Sequence, residues 1–209
     1  MLLNFLELVD KYNIHVKGCV SIGGHFGEEY EDYIEAGIKK IVFIEPCNDS
    51  FNILNVRLGG KDGVTLIKCA CGEIEEERVM YTGSQNEGQS NSLLKMEKHL
   101  QIHKGITLPT TEMVQVKRLD NLGVKDDLDF KLLVMDCQGF EGQILKGATE
   151  TLKHIDYVYT EANKDEVYSG NTRIEELDSL LHEFTRVETG TWVGNMWTDC
   201  FYVRATLLN

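Results

Sequence analysis

Only 2 prolines occur in the 209 residues, and no stretch rich in Pro, Gly or Ser divides the chain. Nothing marks a linker, so the length reads as one domain with at most a small appendage. Long hydrophobic runs are missing as well. No segment approaches the roughly 20 apolar residues of a membrane helix. The start, MLLNFLELVDKYNIH, is apolar but lacks a basic n-region and meets Glu7 and Asp10 too early for a signal peptide. Basic charge is scarce: 21 Lys+Arg stand against 34 Asp+Glu, a net charge of -13, with no Lys/Arg run. Phosphates and anionic membranes are recognised by those residues, so neither nucleic acid nor membrane is the expected partner. The six cysteines (Cys19, Cys47, Cys69, Cys71, Cys137, Cys200) form no CxxC pair. Buried free thiols in a reducing, cytoplasmic compartment are expected, without disulfide or metal. His99 and His103 share i, i+4 spacing, for which a solvated helix face is the simpler account.

What is present is alternation. Leu2, Phe5, Leu6 and Val9 give a short N-terminal amphipathic helix. Lys17–Ile22 is a β-rich run ending in Gly23-Gly24-His25-Phe26-Gly27, and a helical pattern with Tyr30, Tyr33, Ile34 and Ile38 on one face follows. Ile41–Ile44 is continuously apolar, as for a strand buried on both faces. Phe51, Leu54 and Leu58 mark a helix stopping at Gly59-Gly60, and Val64–Ala70 reads as a third strand. Glu73–Tyr81 and Met113–Leu119 read as strands around a wholly polar stretch, Thr82–Ser92, a candidate lid. Lys131–Met135 is again a buried-type strand, with a helix through Phe140 and Leu152 after it. Tyr157–Tyr159, a helix over Ile174–Phe184, Val187 and Cys200–Val203 complete the order, the last two as an antiparallel pair. The pattern predicts an α/β fold: a mostly parallel sheet with helices on both faces and an antiparallel C-terminal strand.

In such a sheet ligands sit beyond the carboxyl ends of the strands. Four ends carry informative residues: the Gly23–Gly27 turn, Glu45, Asp136 and Glu161. The turn reads G-G-x-x-G, short of a full G-x-G-x-x-G, and a plain strand–helix turn also explains it. Glu45, at the tip of the second strand, is placed to accept hydrogen bonds from ribose hydroxyls. Glu28, Glu29, Glu31 and Asp32 crowd the first turns of the next helix. A helix dipole favours acids there, but they oppose a pyrophosphate, so the charge pattern leans toward a cationic nucleoside over NAD. Asp136 fits either a helix cap or a group facing the reacting centre. Glu141 fits a first-turn acid or a site residue, and Glu161 and Asn163 fit a solvated loop or the substrate side. His25 lies inside the glycine turn, and Trp192 and Trp197 flank Gly194-Asn195 as a candidate pocket wall.

These blocks together resemble the FkbM-like family of S-adenosylmethionine-dependent methyltransferases, within the class I methyltransferase fold. The likeness runs from about Lys17 to Val203. It rests on SIGGHFGEE and FIEP, on LLVMDCQGFEGQILKGA, and on NEGQSNSLL, YTEANKDEVYSG and the W-x-x-N-x-W-x-D block. The family's usual pattern has Asp at Ser21 and Asn at His25. The resemblance implies residues 1–209 as a single methyltransferase domain, with 1–16 an N-terminal helix and 17–204 a Rossmann-like core. It implies S-adenosylmethionine held by Gly23, Gly24, Gly27, Glu45, Ala70, Cys71 and Asp136, and methyl transfer to an oxygen of a small molecule or sugar. Asp136 is the first candidate for the catalytic base, with His25 and Glu161 behind it. Two readings compete: an NAD(P)-linked oxidoreductase, which shares the glycine turn and the acid, and a non-catalytic descendant, which the changes at Ser21 and His25 keep open. The identity of the acceptor and the oligomeric state are not legible.

Overall fold

The computed structural model describes residues 1–102 and 104–208. The main sheet is built from β1 (Gly18–Ile22), β2 (Lys40–Ile44), β3 (Val64–Ile67), β7 (Phe130–Met135), β8 (Tyr157–Asn163), β9 (Phe184–Thr189) and β10 (Trp197–Arg204). Its order is β3-β2-β1-β7-β8-β10-β9. β10 pairs antiparallel with both neighbours, and every other pairing is parallel. This is the expected α/β architecture, and the strand order reverses between β1 and β7. A crevice opens beyond the carboxyl ends at such a point.

The two faces of the sheet feed two apolar clusters, because successive side chains point to opposite sides. Cys19, Ile41, Phe43, Leu132 and Val134 pack against α1 (Phe5–Tyr12), α2 (Tyr30–Glu35) and α3 (Asn48–Leu58) through Phe5, Leu8, Tyr33, Leu54 and Leu58. Val20, Ile22, Val42, Ile44, Leu133 and Met135 pack against α5 (Glu141–Lys146) and α6 (Ile174–Leu180) through Ile144, Leu145 and Leu177. A small second sheet, β4 (Ala70–Cys71), β6 (Thr110–Lys117) and β5 (Glu76–Thr82), lies between β3 and β7 in the chain. A short helix, α4 (His99–Ile102), lies between β5 and β6. Among the described residues, no helix is long and apolar enough to cross a membrane. The six cysteines are free, and all but Cys137 are buried.

Several elements differ from the sequence expectation. The first helix starts at Phe5 behind the Asn4 cap, so Leu2 falls outside the helical spacing and is exposed, while Leu8 is buried in its place. In α2 the buried face centres on Tyr33, which turns Ile34 about 100° away into solvent. The run Val64–Ala70 is not one strand: β3 ends at Ile67, and Ala70–Cys71 crosses to the small sheet. The helix expected through Leu152 stops at Lys146. Gly147 packs so tightly on the Gly72 carbonyl that a Cβ there would lie 2.0 Å from it, and a separate 3-10 turn, Thr151–Lys153, follows. α6 likewise ends at Leu180, and Phe184 begins β9.

That second turn is held by Asp120, a buried carboxylate. It accepts from the backbone N–H groups of Glu150 and Thr151 and from the hydroxyls of Thr149 and Thr151. Burial alone would raise its pKa, but these donors outweigh it and hold the carboxyl below its ordinary value. A depressed carboxyl contributes stability above its unfolded pKa, about 3.9, and loses it as pH falls through the folded value. Asp120→Asn is therefore expected to cost about 1–3 kcal/mol in urea unfolding at pH 7. The gap to the wild type should begin to narrow below about pH 4 and close as pH falls through the depressed folded pKa, where Asp120 is as neutral as the amide; a gap independent of pH would remove the carboxylate from this role.

Candidate active site

The site begins with strand register. Ile22 pairs with Ile44 on one side and Met135 on the other, and Met135 pairs with Thr160. One residue further along these four parallel strands stand Glu45, Gly23, Asp136 and Glu161, in one row across β2, β1, β7 and β8. The ladder runs on into the row: Gly23 N–H donates to the Ile44 carbonyl at 2.9 Å and Asp136 N–H to the Ile22 carbonyl at 3.1 Å. All four residues line one cavity of about 480 Å³, a size that suits a small-molecule ligand.

The glycine turn makes room on one side. Gly23 has φ +78, and a Cβ there would lie 2.0 Å from the Asp136 carbonyl oxygen. Gly24 and Gly27 do not line the cavity. A Cβ on Gly24 would meet Phe43, and one on Gly27 would meet Leu54 and Leu58, so they let the turn lie close on β2 and α3. Glu45 is buried, and its two oxygens accept from the backbone N–H groups of His25 at 2.9 Å and Cys47 at 2.8 Å. Burial pushes its pKa up to about 7, against the pull of those donors. Ala70 and Cys71 of β4 join Glu45 on this part of the wall.

Asp136, Gln138, Glu161, Tyr168 and Trp197 form the other part. Burial raises the pKa of Asp136, and it raises that of Glu161 well above the ordinary carboxylate value, reinforced by Asp136. Glu141 is fully buried and is a turn-former: its Oε1 accepts from the N–H groups of Cys137 and Gly139. Asn163 is buried behind the wall and donates to Glu161 at 3.1 Å, which replaces the solvated-loop reading of both residues. Trp192 packs at the edge of the apolar core and does not line the cavity.

Residues 83–92 fold over the cavity, as the polar stretch led one to expect of a lid. Asn86, Gly88, Gln89, Ser90, Asn91 and Ser92 line it. His25 clasps this flap. Its Nδ1 lies 2.7 Å from Glu28 Oε1 and its Nε2 3.0 Å from the Glu87 carbonyl oxygen. Glu28 and the Glu87 carbonyl are both acceptors, so the protonated ring donates to both. In that state it offers no lone pair to a substrate. His99, read from its spacing as solvated, is buried on the cavity wall with Nε2 3.2 Å from Ser90 Oγ; His103 lies outside the described residues. Gln138, Tyr168, Ser90 and Ser92 were not singled out from the sequence. A polar residue two beyond a strand-end Asp was the one available signal.

The charge of the lining is predominantly negative, with His25 and the Met1 amino group as the cationic groups against it. Glu28, Glu29, Glu45, Asp136 and Glu161 line the cavity, and no Lys or Arg is among the described residues that do. The donor set suits a cationic nucleoside with free ribose hydroxyls and opposes a pyrophosphate. Gly23, Glu45, Ala70, Cys71 and Asp136 therefore fit S-adenosylmethionine as they stand.

Comparison with known proteins agrees. The family described as the methyltransferase FkbM domain matches residues 21–187. The chain is 24% identical over 176 residues to the 2-O-methyltransferase NoeI of Sinorhizobium fredii, across 80% of this chain and 72% of that protein. Among solved structures it resembles the methyltransferase FkbM of Methylobacillus flagellatus (TM-score 0.58, 17% identity, 90% of this chain) and spans 43% of that longer chain. It also resembles Streptococcus pneumoniae Sp1610, titled a putative tRNA (m1A22) methyltransferase (TM-score 0.55, 12% identity, 98% of this chain and 71% of that one). At these identities the structural likeness is one of fold.

The clasp gives a pH dependence. Burial lowers the His25 pKa, but Glu28 and the Glu87 carbonyl outweigh it and hold the value above 6.5. A raised histidine contributes fully below its unfolded pKa and loses that contribution as pH rises through the folded one. Amide hydrogen exchange of residues 85–91, corrected for intrinsic base catalysis, is expected to speed up with rising pH in the wild type. In His25→Gln it should be fast throughout. Equal protection in both proteins at pH 6 would show that the ring does not hold the flap.

Proposed function

The chain belongs to the FkbM methyltransferase family, and from that premise we propose that it transfers the methyl group of S-adenosylmethionine to a hydroxyl oxygen of an uncharged small molecule or sugar. The observation that carries this reading is the row Glu45, Gly23, Asp136, Glu161 on a cavity whose described lining holds carboxylates and no Lys or Arg. When bound, the cofactor supplies an electrophilic methyl group on a cationic sulfur. Glu45 is held ready for ribose hydroxyls, with its free lone pairs set by the His25 and Cys47 amides. Gly23 lets the turn lie against the Asp136 carbonyl, Ala70 and Cys71 line the wall with Glu45, and Gly24 and Gly27 shape the turn.

On the acceptor side, Asp136 takes the hydroxyl proton. Its Oδ1 already accepts from Gln138 at 2.7 Å, which leaves Oδ2 for the substrate. Glu161 supports the carboxylate pair from β8, and His25 acts through the flap, which excludes water from a reaction that depends on alignment more than on elaborate chemistry. The predominantly negative charge favours acceptors without phosphate, and so counts against nucleic acid. The relative from Sinorhizobium fredii is named for methylation at an oxygen, which supports the same atom here. The free, mostly buried thiols support residence in a reducing, cytoplasmic compartment.

Calorimetric titration with S-adenosylhomocysteine tests the cofactor, with NAD as the comparison. Binding should be selective for the former, and Glu45→Ala should weaken it about 10–100-fold, with Glu45→Gln in between. Equal binding of NAD, or an indifferent Glu45→Ala, would return the site to another ligand. Asp136→Asn should lower kcat by about 10²–10⁴-fold with the fold retained. In a panel of matched glycosides, turnover should fall when the neutral acceptor is replaced by its phosphate ester; preference for the ester would remove the uncharged-acceptor reading.

A further inference from the structure

Gln138 sits three residues past the end of β7 in a conformation that few side chains adopt. Its φ is +51, and the neighbouring Gly139 follows at +96. The turn is held from inside by Glu141, whose Oε1 takes the N–H groups on either side of Gln138. Backbone held in this region without glycine is found where a side chain has to be aimed.

The aim is legible in the hydrogen bonds. The buried Tyr168 hydroxyl lies 2.7 Å from Gln138 Oε1, with the Ser90 carbonyl at 3.3 Å as the more distant acceptor. A phenol has one proton to give, and the shorter contact takes it. With Oε1 accepting, Nε2 faces the carboxylates and donates to Asp136 Oδ1 at 2.7 Å and Glu161 Oε2 at 3.3 Å. Reversing the amide would set its oxygen against both carboxylates. The orientation is therefore fixed from both ends. The Gln138 carbonyl also accepts from Ser92 Oγ at 2.9 Å, so the same residue anchors the end of the flap.

We propose that Gln138 is a positioning residue for methyl transfer: its carboxamide, oriented by Tyr168, holds Asp136 ionised and fixed toward the cavity, and leaves Glu161 to carry the proton that two neighbouring buried carboxyls share. This rests on the methyltransferase reading of the site. The shorter of the two donated bonds goes to Asp136, and donation to a charged carboxylate favours the charged form. Glu161 takes the longer bond from Gln138 and a second from Asn163 at 3.1 Å, but its deeper burial beside Asp136 outweighs both and makes it the member of the pair that stays neutral. The other titratable groups facing Asp136 are Asp199 on β10, Glu141 on α5, Glu29 ahead of α2, His25 in the glycine turn, the neighbouring Cys137, Tyr168 and the amino group of Met1. Of these only Tyr168 is altered in the variants below, and Gln138→Leu leaves it in place.

The experiment is a carboxyl ¹³C NMR titration of labelled Asp136 in protein saturated with S-adenosylhomocysteine. It compares the wild type with Gln138→Leu and Tyr168→Phe. Gln138→Leu is expected to move the Asp136 midpoint up by about one pH unit or more, because the charged form loses its donor. Tyr168→Phe should move it the same way by less, since the amide remains but is free to turn. Affinity for S-adenosylhomocysteine should stay within about twofold of wild type, because Glu45 and the glycine turn are untouched. An unchanged midpoint in either variant overturns the proposal, even if turnover falls, because a merely structural role lowers activity without moving that titration. If Gln138→Leu does not fold, Tyr168→Phe decides alone, as it leaves the strained turn intact. Failure of the wild type to bind S-adenosylhomocysteine would count against the methyltransferase reading, while the Asp136 midpoint, read in the unliganded protein, would still decide the role of Gln138.

Discussion

Parallel pairing that brings the carboxyl ends of β2, β1, β7 and β8 into register is the constraint on which the rest of the molecule depends. It brings Glu45, Gly23, Asp136 and Glu161, spread over more than a hundred residues of sequence, into one row. A slip of one residue in any strand would turn its apolar residues to the opposite face and withdraw its polar tip from the row. The continuous burial of β1 and the near-continuous burial of β2, β7 and β8 make such a slip expensive. The hydrophobic core and the chemistry of the site are thus specified by the same pairing.

Bringing several carboxylates to one row has a cost in desolvation, and the local structure answers it with donors. Glu45 takes two backbone amides, Glu141 takes two, and Asp136 and Glu161 share one carboxamide. These bonds do not cancel the burial: Glu45 and Glu141 are both still pushed up to about 7. No Lys or Arg is among the described lining residues; His25 and the Met1 amino group offset part of the carboxyl charge, and a bound cation would offset more. A positively charged cofactor fits such a cavity on electrostatic grounds alone, before any contact is counted.

The strands, their order and the four tips of the row were legible because buried strands leave continuous apolar runs and their ends leave polar punctuation. Helix lengths were less legible. Periodicity carries past a break that is made by tertiary contact, as at Gly147 against the Gly72 carbonyl. The split of β3 from β4 had no signal either, because both pieces are apolar and only their partners differ. Within the site, Gln138 and Tyr168 were invisible for a related reason. Their roles follow from a left-handed turn and from a contact across thirty residues, neither of which leaves a periodic trace. His25 was seen but its setting was not: the acceptor at Glu87 lies 62 residues away on the flap.

The flap ties these features together. Its middle is clasped by His25 beside Glu45, and its end is anchored by Ser92 to the carbonyl of Gln138, whose side chain bonds Asp136. On the proposed roles, one segment therefore contacts both the cofactor end of the cavity and the turn that carries Asp136. Opening it would break the bond to the His25 ring and the bond to Gln138, so in the proposed reaction exclusion of water and the setting of Asp136 depend on the same contacts.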